Sequence, residues 1–173
     1  PLPLGEAARR AGEGPLCAGI FVNQPVDEVA RIARVVGLDY VQLSGSEDAS
    51  YCQQVAEASG RPIIKAIRLA DPAEAEHLDA FQEEPAVQVL LADAAAKGSW
   101  GGSGETWDWR LAANVANRFP VLLAGGLTPE NVSQAIAAVR PWGVDVASGV
   151  EANGQTDPEK VRVFIERAKE NHR

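Results

Sequence analysis

Asp93 closes the apolar run "VLLAD" (89–93) and is the first residue whose type and place suggest chemistry. A carboxyl group at the end of a buried strand sits in a partly apolar setting. Such a setting raises its pKa and suits it to general-acid work. The competing reading is a helix cap or a salt bridge to Lys65 or Lys97. Asp145, inside "GVDVASG" (143–149), invites the same two readings. Two glycine-bearing turns accompany these carboxylates: Gly125-Gly126 in "LLAGGLTPENV" (122–132), and Ser148-Gly149. Glycine lets backbone approach an anion with no Cβ in the way. The N–H groups at a following helix start then point at it. The plainer reading of both pairs is a tight strand-to-helix turn. A third stretch, "KGSWGGSGETWDW" (97–109), carries Gly101, Gly102, Ser103 and Gly104. A loop of this kind can fold over a ligand and exclude water. It lacks the Gly-Lys-Ser ending of a nucleotide P-loop, which excludes an NTPase. Its other reading is a long turn anchored by Trp107 and Trp109.

The elements that must carry these residues alternate in hydrophobic period. Buried strands are expected at 17–22, 39–43, 61–69, 87–93, 120–125 and 143–149. Helices are expected at 25–37, 47–60, 71–81, 106–119, 129–139 and 157–170, with a further helix at 4–11. Asp71-Pro72 and Asp157-Pro158 have the form of helix starts. Six strand–helix units with near-continuous apolar strands mean an α/β protein with parallel strands. Nothing divides the chain, so residues 1–173 are expected to form a single domain. An open doubly wound sheet and a (β/α)8 barrel both fit the alternation. Ser44-Gly45, Asp93, Gly101 to Gly104, Gly125-Gly126 and Ser148-Gly149 follow the carboxyl ends of different strands. A barrel gathers all such ends on one rim, so the barrel is the expectation. A phosphate in such barrels often sits between the loops after the seventh and eighth strands, where both glycine pairs would then fall.

Composition narrows the function classes. The 173 residues are 46% hydrophobic and carry a formal net charge of -8. That balance argues against a nucleic-acid surface. It leaves room for an anionic small ligand held by backbone amides. No apolar run reaches membrane-spanning length and no cleavable leader is expected. Cys17 and Cys52 match no metal spacing and suggest a reduced, cytoplasmic protein. His77 and His172 lie in polar surroundings and are expected at the surface.

Six segments occur in order and at matching spacing: "GIFVNQP", "LDYVQLSGSE", "RPIIKAIR", "LLADAAAKGSWGGSGETWDW", "LLAGGLTPENV" and "GVDVASGVEANGQTDPEKVRVFI". From about residue 18 onward the chain resembles the phosphoribosylanthranilate isomerases of tryptophan biosynthesis. The resemblance implies a cofactor-free (β/α)8 TIM barrel whose substrate is a small phosphorylated molecule. The implied reaction is an Amadori rearrangement, with Asp93 as general acid and the Gly125-Gly126 and Ser148-Gly149 loops holding the phosphate. The Gly101–Gly104 loop would cover the substrate, and Gln42 and Asp145 match rim positions. No nucleic-acid or membrane partner is implied, and a monomer or homodimer is expected.

Two departures bear on this. Ser44 stands where the family usually has histidine in "QLHG", so a proton carrier becomes a hydroxyl. The family's basic cysteine, in a "KICG" motif on its first strand, has no counterpart. The first two strands and first helix of the barrel, about 40 to 50 residues, are absent from the chain. Cys17 should lie at the opposite rim and Cys52 in the core. The base is therefore expected from a leading segment outside the 173 residues. A non-catalytic phosphate-binding barrel fragment, and another phosphate-binding barrel isomerase or epimerase, stand as alternatives.

Overall fold

The computed structural model describes residues 15–69, 78–93 and 109–170. The described residues form two compact units. One comprises 15–66 and 78–90; the other comprises 67–69, 91–93 and 109–170.

In the first unit, β1 (Ala18–Phe21), β2 (Tyr40–Leu43) and the first four residues of β3 (Ile63–Arg68) pair in sequence order, with β1–β2 and β2–β3 parallel. Register sets Phe21 beside Leu43 and Leu43 beside Lys65. Helix α1 (Val26–Val36) buries Val29, Ala30 and Ala33. Its first turn carries Asp27 and Glu28 and its last turn Arg34, each charge complementing the helix dipole. Gly37, at φ 73°, closes it with a left-handed cap. Helix α2 (Ala49–Ser59) begins at Asp48, whose carboxylate accepts from the Tyr51 N–H at 2.7 Å. Helix α3 (Leu78–Gln82) buries Phe81. Val41 and Leu43 are fully buried and α1 packs on α2, while Tyr40 and Gln42 alternate onto the other, half-exposed face. Full burial of side chains such as Leu43 stabilises by about 1.5–3 kcal/mol each.

The second unit holds the end of β4 (Val87–Asp93), then β5 (Val121–Ala124) and β6 (Gly143–Val144), in that sheet order, with β5–β6 parallel. Helices α4 (Trp109–Ala116), α5 (Val132–Val139) and α6 (Pro158–Glu170) follow one another, with α5 packed against both others. Val121, Leu123, Val132 and Ala135 are wholly buried at its core. Asp157 caps α6 by accepting from the Glu159 N–H at 2.9 Å.

All six expected strands are present and the α/β class holds. The last is shorter than 143–149 suggested: pairing stops at Val144, and Ser148–Val150 forms a 3-10 turn. A small antiparallel hairpin follows, β7 (Glu151–Ala152) with β8 (Gln155–Thr156). Asn153 and Gly154 turn it with φ of 53° and 73°. The expected helices at 4–11 and in the first part of 71–81 lie outside the described residues.

Candidate functional site

In the second unit, each candidate residue stands at or just past a strand end. Four buried residues, Val89 to Ala92, carry β4 to a half-buried Asp93, whose carbonyl accepts from the Leu69 N–H at 3.2 Å. The chain leaving β6 stays bound to β5 through the Asp145 N–H and the Leu123 carbonyl, at 2.8 Å. Asp145 lines a cleft of about 690 Å³ whose walls include Val144, Val146, Phe164 and Ile165. Water reaches its side chain, and the cleft it lines is mostly apolar. This burial, and after it the charge of Asp93, raises the Asp145 pKa. Asp93 thus exerts its field three residues before Ser148.

Gly125 and Gly126 leave β5 with φ of 94° and 63°, a left-handed pair that only glycine adopts without strain. Gly149 serves a different purpose. A Cβ there would lie 1.8 Å from the Leu127 carbonyl oxygen and 3.3 Å from the Thr128 Cα. The loop after β5 therefore sits backbone to backbone on the loop after β6. Among the described residues, the N–H groups of Gly125, Gly126, Ser148 and Gly149 donate to no protein acceptor. The structure so brings the two glycine loops into contact and sets Asp145 just upstream of one of them.

Asn131 supports this arrangement and went unread in the sequence. Its amide donates to the Gly126 carbonyl at 3.0 Å and accepts from the Thr128 N–H at 2.8 Å. The available signal was an asparagine at a helix start, which reads as a cap. From α6, Arg167 donates to the Pro129 carbonyl at 2.6 Å.

The first unit holds Gln42, whose Nε2 donates to the Ser44 Oγ at 3.1 Å. The Ser44 N–H is held by the Phe21 carbonyl at 2.9 Å. Beneath this loop lies a buried ion pair: Lys65 Nζ is 3.0 Å from Glu47 Oε2, with both side chains closed to solvent. Lys65 also donates to the Gly45 carbonyl at 2.7 Å and the Leu43 carbonyl at 3.3 Å. Glu47 accepts from the N–H groups of Asn23 and Gly45, each at 2.8 Å. Burial opposes the Glu47 charge, but these amides and Lys65 outweigh it and lower its pKa. Lys65, one of the ion-pair partners considered for Asp93, is thus engaged by Glu47. A lysine within "IIKAI" was the signal, because a buried ammonium requires a carboxylate.

Cys52 is fully buried, and burial pushes its thiol up to about 12. Cys17 precedes β1, at the end away from Ser44, and its N–H donates to the Asp39 carboxylate at 2.8 Å. Gly101, Gly102, Ser103, Gly104, Lys97 and Trp107 lie outside the described residues.

The family model described as N-(5'phosphoribosyl)anthranilate (PRA) isomerase matches residues 6–167. The N-(5'-phosphoribosyl)anthranilate isomerase of Dehalococcoides mccartyi is 42% identical over 98% of this chain and 78% of its own length. Among solved structures, the phosphoribosyl anthranilate isomerase of Thermotoga maritima aligns with a TM-score of 0.78 and 37% identity, over 96% of this chain and 80% of that one. Another structure of such an isomerase holds reduced 1-(o-carboxyphenylamino)-1-deoxyribulose 5-phosphate. It aligns with a TM-score of 0.74 and 35% identity, over 96% of this chain and 79% of that one. The expected barrel class stands with these matches, six of its strands being among the described residues. In sequence, in strand order and in the match of one family model across nearly its whole length, the chain belongs to the N-(5'-phosphoribosyl)anthranilate isomerase family of tryptophan biosynthesis.

Proposed function

We propose that this chain's part in the Amadori rearrangement of N-(5'-phosphoribosyl)anthranilate is acid catalysis by Asp93 and phosphate binding by the two glycine loops. The phosphate accepts from the N–H groups of Gly125, Gly126, Ser148 and Gly149, which supply partial positive charge in an acidic protein. Asp93 protonates the ribose ring oxygen, and the ring opens to a Schiff base. A base then removes the C2′ proton, and the enolamine tautomerises to the aminoketose. Asp145 stands within the field of Asp93, whose charge is the second cause, after burial, of the raised Asp145 pKa. The family resemblance alone assigns substrate-binding roles to Gln42 and to Gly101, Gly102, Ser103 and Gly104. The base role is assigned to neither cysteine, since Cys52 is a buried neutral thiol and Cys17 stands at the far end of β1. The reaction draws on no cofactor, and the enzyme works in the cytoplasm as a monomer or homodimer.

The observation that carries this reading is the close seating of Leu127 on Gly149, which brings the two glycine loops into contact. The test is the fluorescence decay of N-(5'-phosphoribosyl)anthranilate. Asp93→Asn should lower kcat by about 10²–10⁴ with substrate binding retained. Unchanged decay in that variant removes Asp93 from the acid role.

A further inference from the structure

Asn131 occupies the N-cap position of α5, yet its side chain makes no capping bond to that helix. An asparagine there ordinarily accepts from the second or third N–H of the helix. Here the amide turns back into the preceding loop and meets Gly126 O and Thr128 N–H. Only one orientation of the amide satisfies a carbonyl and an N–H together.

We infer that Asn131 is a positioning residue that sets the affinity of the phosphate site by fixing two consecutive peptide planes. The described peptides are trans, so the C=O and N–H of each plane point in opposite directions. Holding Gly126 O toward Asn131 sends the Leu127 N–H the other way. Holding the Thr128 N–H toward Asn131 sends the Leu127 carbonyl the other way, and that carbonyl is the atom seated against Gly149. One side chain thereby determines both the shape of the Gly125-Gly126 turn and its docking on the Ser148-Gly149 loop. Without the amide, the left-handed glycine pair is free to rotate, since glycine has the widest backbone freedom. The four amides would then have to be ordered by the ligand itself, at a cost in affinity.

This inference rests on the proposed phosphate site, and the experiment separates the two. The ¹⁵N-labelled chain is titrated with inorganic phosphate while the amide resonances of Gly125, Gly126, Ser148 and Gly149 are followed. In the unsubstituted chain these resonances move together and saturate. Asn131→Ala should weaken phosphate binding about tenfold, from the loss of two hydrogen bonds. Asn131→Asp keeps the acceptor for Thr128 and loses the donor for Gly126, and should fall between. In turnover, KM should rise with kcat within about twofold, a split that general loss of folded protein does not produce. Phosphate affinity unchanged in Asn131→Ala overturns the positioning role alone. If that variant does not fold, unchanged affinity in Asn131→Asp overturns it instead. Glycine amides unmoved by phosphate in the unsubstituted chain overturn the site, and the inference with it.

Discussion

Asp145 lies within the electrostatic reach of Asp93, and their coupling has a sign that can be measured. Burial first, and then the Asp93 charge, lifts the Asp145 carboxyl above its ordinary 3.8. Between 3.8 and the raised native value, the folded chain binds more protons than the unfolded one. Stability therefore falls as pH climbs through that window. Asp145→Asn removes this dependence. It should raise Tm at neutral pH by only about 1 °C, because solvent screens a water-exposed carboxyl. Asp93→Asn should move the Asp145 titration downward in carboxyl-carbon NMR. A titration that stays put would show that the two groups do not sense each other.

The Glu47–Lys65 pair makes the opposite pH prediction. Glu47 is lowered from 4.5, so its contribution is complete above that value and is lost as pH falls through the native pKa. Glu47→Ala strands a buried ammonium and removes the acceptor for two amides, and should cost about 3–5 kcal/mol in urea unfolding at pH 7. Lys65→Met should cost less, because Glu47 keeps the Asn23 and Gly45 N–H groups. Equal losses in the two variants would contradict this asymmetry.

Gly149→Ala and Gly126→Ala should differ in kind. Gly149 is outside the left-handed region, so its substitution is purely a collision with the Leu127 carbonyl 1.8 Å away. Overpacking against backbone should cost about 1–3 kcal/mol and spread the two loops. Gly126 has a φ of 63°, and alanine there should cost about 1–2 kcal/mol through backbone strain. Crystal structures of the variants check this: a displaced Leu127 only in Gly149→Ala is the expected result, and a Leu127 left in place there refutes it.

Particular residues show what the sequence disclosed. Runs such as "VLLAD" and "PVLLA" revealed their strands because both faces are covered and apolarity is continuous. The shortness of β6 was hidden, since "GVDVASG" keeps strand-like composition after its pairing ends. The β7–β8 hairpin was not anticipated, although Asn153-Gly154 is the kind of pair that a two-residue turn with left-handed φ favours. The purpose of Gly149 was not legible, because a glycine that clears a neighbouring carbonyl looks the same as one that admits a ligand. Asn131 was equally opaque: its position signals a cap, and only coordinates reveal that its amide faces backward. Glu47 lies 18 residues before the lysine it pairs with, and nothing local in "SGSED" singles it out.

The junction of Leu127 with Gly149 is made of main-chain atoms on both sides, so amino-acid exchange can harm it but has little means of adjusting it. Selection for a sugar phosphate of another size would find no side chain at this seam to trim or extend. Altered specificity would have to come from the walls around it, with the two loops inherited as one unit.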